Sequence, residues 1–271
     1  MSLTPEAIQL ITNTALIATG KPLNTFTPTA ILPEGAKIFD LERFAVGRSR
    51  FRGTFSTNSL LDFGKYVTDR AVVNAQGFID QDEMSCLVMF NIGDAANPGH
   101  ADDRAALKLK PTAGYKAVRE IGGRTLSQKE LSDWIEDWNA SLKAVGEDLQ
   151  DISIVKAIAA VRTITIKASS ESDHTVRETG ASRSAMDAIE ASSKETLPTS
   201  LVFSVVPFEG LSVREIVLRI SVITSGAQPA LKLRWIGEEV QREEIAQEFK
   251  SVLEAQVGES AKLALGNFDP K

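Results

Sequence analysis

The chain has 271 residues, of which 43% are hydrophobic and 24% charged, a composition typical of a folded protein that builds its own core. Lysine and arginine number 30 and aspartate and glutamate 36, so the net charge of -6 excludes nucleic-acid binding through bulk charge and confines any such site to a local patch. A single cysteine and two histidines exclude an intramolecular disulfide and leave too few ligands for most transition-metal sites.

The N-terminal segment predicts a short helix on an extended arm. Thr4 followed by Pro5 is typical of a helix start, and Ile8 and Ile11 begin an apolar stripe. The prolines that follow favour extended chain. We therefore predict an arm over residues 1–38 that either folds back on its own body or reaches a neighbouring subunit. The segment lacks the basic start of a signal peptide, so we expect a soluble cytoplasmic protein.

A basic segment follows the arm. A strand is predicted over residues 50–56. If the residues just before it are also extended, Arg48, Arg50 and Arg52 share one face, and Arg43 lies nearby. Three interpretations stay open for this face: a contact between subunits, a nucleic-acid site, or a solvated edge strand that charge keeps from pairing.

The middle of the chain predicts a helix and two strands. The helix follows a cap at Ser56 or Ser59 and extends to about residue 71. Residues 84–92 are nearly all apolar and predict a buried strand. Residues 104–110 alternate apolar and basic side chains, which predicts a half-exposed strand, and Lys108 and Lys110 add to the basic surface.

The loop between these strands contains several groups capable of chemistry: Asp94, His100, Asp102 and Asp103. Carboxylates and an imidazole within ten residues could bind Mg²⁺ or Mn²⁺, or act as an acid and base pair. The alternative is a plain hairpin loop, because asparagine, proline, glycine and aspartate are the residues that turns prefer.

Two helices, a strand and a segment poor in apolar residues come next. Ser127 and Glu130 form a capping-box pattern at the start of one helix, and a shorter helix follows within residues 151–161. A strand is predicted from residue 162 onward. Residues 169–198 have few apolar side chains and predict a long loop or projecting hairpin.

The last third of the chain is the most regular. Three strands separated by short turns predict an antiparallel meander, and residues 242–257 predict an amphipathic helix. We predict an α+β fold, mainly antiparallel sheet covered by helices, in one domain over residues 39–271. No apolar run is long enough to cross a membrane, so we expect no membrane partner.

Common catalytic motifs are missing from the sequence. It contains neither G-x-G-x-x-G nor a P-loop, which leaves those routes of nucleotide binding unsupported, and it has no G-x-S-x-G nucleophile elbow. We therefore assign no cofactor and favour a non-enzymatic role.

Three fragments, "RFRGTFSTNSLLDF", "GHADDRAALKLKPT" and "VVPFEGLSVREIVLRI", resemble the YfdQ-like family of phage and prophage proteins. The resemblance covers roughly residues 40–250. It implies a phage origin and an accessory or DNA-metabolism setting in the bacterial cytoplasm, and it implies no catalytic residues.

The resulting functional hypothesis is a phage-encoded protein that assembles into a homo-oligomer, such as a ring or shell. One alternative is a DNA- or RNA-binding protein that uses the basic strand. A second alternative is a divalent-metal-dependent enzyme that uses the loop over residues 94–103.

Overall fold

The computed structural model describes residues 4–19, 42–164, 196–223 and 229–269, which form six α-helices and eleven β-strands. The helices are α1 (Pro5–Thr19), α2 (Leu60–Asp69), α3 (Ala113–Ile121), α4 (Gln128–Asp137), α5 (Ile154–Arg162) and α6 (Glu238–Val257). The strands are β1 (Gly53–Thr57), β2 (Gln76–Asp80), β3 (Ser85–Met89), β4 (Asp103–Lys108), β5 (Thr125–Ser127), β6 (Leu142–Val145), β7 (Asp151–Ile152), β8 (Ser200–Val205), β9 (Arg214–Ile223), β10 (Ala230–Trp235) and β11 (Lys262–Leu265).

The strands divide between two sheets. The first has the order β1-β4-β3-β2-β11, and the second has the order β5-β10-β9-β8-β6-β7. Parallel pairing joins β1 to β4 and β2 to β11, whereas the remaining described pairs are antiparallel. The predicted α+β class with mainly antiparallel pairing is confirmed, and β8, β9 and β10 form the predicted meander.

The chain clusters into two units, residues 1–51 and residues 52–271. The second unit holds both sheets and a shared hydrophobic core. In that core, α2 packs against β4 and α6, and α4 packs against α5 and β10. The buried side chains of α6 recur every four residues, which gives the helix one inward face.

Local signals placed several helix starts correctly. The Thr4 hydroxyl accepts a hydrogen bond from the Ala7 amide at the start of α1, and Ser59 caps α2. At α4 both halves of the capping box are present, since Ser127 accepts from the Glu130 amide and the Glu130 carboxylate accepts from the Ser127 amide.

The strand predicted over residues 50–56 is displaced in the structure. β1 begins at Gly53, whose amide donates to the Asp102 carbonyl at 2.7 Å and so starts the pairing with β4. Gly53 has a φ of +147°, a value that glycine adopts readily. The backbone conformation therefore changes at Gly53, where the strand begins. The arginines at positions 48, 50 and 52 therefore precede β1 and do not lie within it.

Other predictions fall partly or wholly outside the described residues. These are the extended arm beyond residue 19, most of the strand predicted from residue 162, most of the loop at 169–198, and the turn at 225–226. The start of that predicted strand is wrong, because Arg162 is the last residue of α5. Six elements were not predicted from the sequence: β2, α3, β5, β6, β7 and β11.

Candidate functional site

The basic segment forms a local loop in the unit of residues 1–51. Arg43 lies in a 3₁₀ turn over Glu42–Phe44, and the Glu42 carboxylate accepts hydrogen bonds from the Ser49 amide at 2.9 Å and the Ser49 hydroxyl at 2.8 Å. Arg48 and Arg50 lie in this loop with exposed side chains. Because they are not in a strand, the alternation that would put them on one face does not apply.

Arg52 opens the second unit, immediately before the strand at one edge of the five-stranded sheet. This strand lies at an edge of the described sheet, since β1 pairs with β4 on one side and is last in the sheet order. Charge beside an edge strand hinders pairing with another chain.

Lys108 and Lys110 are not brought together with Arg52. Gly53 pairs with Asp103 in the parallel register of β1 and β4, so Lys108 lies five residues farther along, at a distance of roughly 17 Å. The Lys108 ammonium also donates to the Glu83 carboxylate at 2.7 Å, a hydrogen bond that raises the pKa of the lysine. The two lysines therefore belong to the opposite end of the sheet.

A partly buried ion pair lies at the end of the sheet where β1 and β4 begin. The Arg70 guanidinium, just after α2, donates to the Asp103 carboxylate at 2.5 Å, and the side chains are 28% and 7% exposed. The guanidinium also lies 5.8 Å from the ring centroid of Tyr66 and 5.4 Å from that of Phe90. Tyr66 stacks in turn on Phe55 at 4.2 Å, so a charge and three aromatic rings form one cluster.

Sequence reasoning missed this cluster and assigned Asp103 to a metal loop instead. The second carboxylate oxygen of Asp103 is buried and accepts no hydrogen bond from the described residues. Asn91 fixes the neighbouring backbone, because its amide group donates to Asp102 and its amide oxygen accepts from the Asp103 backbone amide. Asp103 is thus a structural partner of an arginine.

The rest of the 94–103 loop has turn geometry. The Asp94 carboxylate accepts from the backbone amides of Ala96 and Asn97, which is how aspartate stabilises a turn. A side chain at Gly99 would collide with the Asn91 carbonyl, so this glycine is required by the close backbone approach. In the described part of the chain, no group of three histidine, cysteine, aspartate or glutamate side chains could hold a metal ion, and the divalent-ion site through His100 stays a prediction.

Helix α1 presents large apolar side chains to solvent. Ile8 is 52% exposed, Leu10 is 68% exposed and Ile11 is 57% exposed. On the other side of the helix, the Gln9 side-chain amide donates to Asn13 at 3.1 Å. Ile8 and Ile11, three residues apart, therefore share one side of the helix, whereas Leu10 lies on a different side.

The architecture defines an α+β protein with two sheets in which most of the described strand pairs are antiparallel. Among its described helices none has the length and apolar character needed to span a membrane. The chain belongs to the family described as "Uncharacterized conserved protein (DUF2303)", whose model matches residues 4–268. The matched region begins at the cap of α1, so the N-terminal helix is part of the family's sequence. No curated protein and no solved structure matched the chain.

Proposed function

We propose that this protein is a non-enzymatic, self-assembling protein in which α1 of one subunit docks on a second copy of the chain. The observation that carries the proposal is the exposure of Ile8 and Ile11, each more than half exposed on the same side of a 15-residue helix. Ordinary helices of this length bury their apolar stripe, because their stability comes from packing.

Docking of α1 would contribute measurably to the free energy of association between subunits. Full burial of an isoleucine side chain stabilises by about 1.5–3 kcal/mol, and the exposed halves of Ile8 and Ile11 together amount to about one such side chain, so covering both would contribute about 1.5–3 kcal/mol. Glu6 is the single charged residue of α1, so burial of the helix face opposite Glu6 removes no charged side chain of α1 from water.

The length of the connecting chain permits a contact between subunits. Residues 20–41 join α1 to the next described segment, and twenty-two residues can span up to about 75 Å when fully extended. The helix can therefore reach a neighbouring copy without moving the body of its own subunit.

The biological setting is proposed from the YfdQ-like resemblance. It supports a phage or prophage origin, a location in the bacterial cytoplasm, and an accessory role in phage DNA metabolism or infection. An assembled ring or shell would fit that setting.

A matched pair of substitutions on α1 tests the proposal. Ile11→Asp places a charge on the side of α1 that carries Ile8 and Ile11, whereas Gln9→Asp places the same charge on the other side. We expect light scattering to show that Ile11→Asp lowers the particle mass and that Gln9→Asp leaves it unchanged. Equal masses for both variants and for wild type would refute docking of α1 between subunits.

The basic segment favours a second candidate function, binding of DNA or RNA. Arg43, Arg48, Arg50 and Arg52 fall within ten residues, and Glu42 is held by Ser49. Fluorescence anisotropy with labelled oligonucleotides should then show log affinity falling with log salt, with a slope of about 0.7–0.9 per phosphate contact. Flat titrations at low salt would remove this candidate, and changing Arg48, Arg50 and Arg52 together to serine should abolish any binding seen.

A further inference from the structure

A surface groove of about 510 Å³ lies between α3 and α6, within the unit of residues 52–271. Small-molecule sites in proteins have volumes of about 300–1,000 Å³. The side chains of Met84, Phe208 and Ile245 form an apolar floor, and each of them is otherwise buried. The groove thus has the size and floor of a ligand site.

Tyr115 is the central polar residue of the groove. Its side chain is held between Phe208, with ring centroids 5.5 Å apart, and Trp235, with ring centroids 6.0 Å apart and planes nearly perpendicular. The residue is 3% exposed, yet no hydrogen bond joins its hydroxyl to another described residue. The hydroxyl oxygen is not one of the buried side-chain atoms that lack a partner, so it is open to the groove, where a ligand can reach it.

The hydroxyl is a hydrogen-bond donor at neutral pH. Burial raises the pKa of Tyr115, and the opposing effect of the Arg119 and Arg242 charges does not reverse the shift. The phenol therefore keeps its proton and can donate to an anion.

Two arginines stand close to this hydroxyl. Arg119 lies one turn after Tyr115 on the same side of α3, and Arg242 comes from the facing helix α6. The described ion pairs include other arginines, such as Arg162 and Arg214, and neither Arg119 nor Arg242 is among them. Both guanidiniums are therefore free of a carboxylate partner in the described residues.

The backbone that carries Arg242 is fixed at the start of α6. The Trp235 indole donates to the side-chain oxygen of Gln241 at 2.9 Å, and the Gln241 side-chain amide donates to the Glu215 carbonyl at 3.1 Å. The same tryptophan packs on Tyr115, so one residue positions the hydroxyl and the helix that faces it. Such preorganisation reduces the entropy lost on binding.

Acidic side chains restrict the ligand's charge. Asp82, Glu239 and Glu243 also line the groove, so with the two arginines its formal charge is -1. A polyanion would be repelled by these three carboxylates. A molecule with one negative group and an apolar body would place the anion at the tyrosine and arginines and its body on the floor.

We propose that this groove binds a small organic monoanion, a carboxylate with an apolar body, through Tyr115, Arg119 and Arg242. The chain has two tyrosines, so protein labelled with ¹³C at tyrosine gives one signal from Tyr115 and an internal reference from Tyr66. Benzoate is the probe, and benzamide is its uncharged equivalent. We expect benzoate to shift the Tyr115 signal until the site is saturated, while the Tyr66 signal stays in place. Benzamide should bind more weakly than benzoate by a factor of about ten or more.

Substitutions separate a specific site from general charge attraction. Arg119→Gln and Arg242→Gln should each weaken benzoate binding about tenfold, the effect of one charge-assisted hydrogen bond. Lys116→Gln, which removes an exposed charge from the same helix, should leave binding unchanged. The proposal is overturned by an unmoved Tyr115 signal up to the solubility limit of benzoate, by equal binding of benzamide, or by an equal loss in Lys116→Gln.

Discussion

Replacement of Arg70 by methionine should destabilise the folded protein by about 3–4 kcal/mol. Methionine keeps an apolar chain against the rings of Tyr66 and Phe90 and removes the guanidinium that pairs with Asp103. The substitution leaves a carboxylate that is 7% exposed with no cation beside it, and one oxygen of that carboxylate already lacks a described partner.

The magnitude follows from how deeply each partner is buried. Removing one member of a buried ion pair costs about 3–5 kcal/mol, because the remaining charge stays desolvated. The Arg70 side chain is 28% exposed, so water can relieve part of this penalty, which places the expected loss near the lower limit. The lost attraction between the cation and the two rings adds about 0.5–1 kcal/mol.

Guanidinium unfolding monitored by circular dichroism measures the loss, and Lys108→Met is the matched control. The Lys108–Glu83 pair has an N–O distance of 2.7 Å, but its side chains are 66% and 63% exposed. Exposed pairs contribute little to stability, so this variant should unfold close to wild type.

Asp103→Asn added to Arg70→Met should recover about 1 kcal/mol or more, because it removes the stranded charge. The reasoning fails if Arg70→Met loses no more stability than Lys108→Met, or if the added substitution brings a further loss.

Three further predictions concern the body of the protein. Ser127→Ala removes the hydroxyl that accepts from the Glu130 amide, so it should lower the free energy of unfolding by about 1 kcal/mol in denaturant titrations, and an unchanged value would contradict the cap. Burial alone would raise the pKa of Glu248, but hydrogen bonds, including one from Arg214, lower it below 4.5. The contribution of Glu248 to the stability of the folded protein is therefore fully present above pH 4.5 and is lost as the pH falls through the pKa of the folded state. Glu248→Gln should flatten the acid limb of a stability profile, and an unaltered limb would argue against this role. Burial raises the pKa of Cys86 to about 12, so a disulfide reagent such as DTNB should modify it only after unfolding, and rapid reaction of the native protein would be inconsistent with the core.

Elements specified by nearby residues could be predicted from the sequence. The start of α4 depends on Ser127 and Glu130, three positions apart, and the meander depends on strong strand patterns separated by short turns. In contrast, β2 and β11 are short and of mixed polarity; β2 forms because it pairs with both β3 and β11, and β11 forms because it pairs with β2. Such tertiary support is invisible to a local pattern.

The candidate sites likewise could not be predicted from local sequence patterns. Arg70 and Asp103 are thirty-three residues apart, and only the position of α2 on β4 brings them together. The alternation of Arg48 and Arg50 has the period of a strand, but hydrogen bonds between Glu42 and Ser49 form a loop there instead. Tyr115 lies in the unpredicted helix α3, so its groove had no signal in the sequence.

The native mass of the full-length protein tests the central proposal most directly. Light scattering or sedimentation at several protein concentrations should give a multiple of the 29.3 kDa subunit mass, and a chain beginning at residue 39 should return to a single subunit. A mass of 29.3 kDa at every concentration, or an assembly that persists without residues 1–38, would contradict assembly through α1.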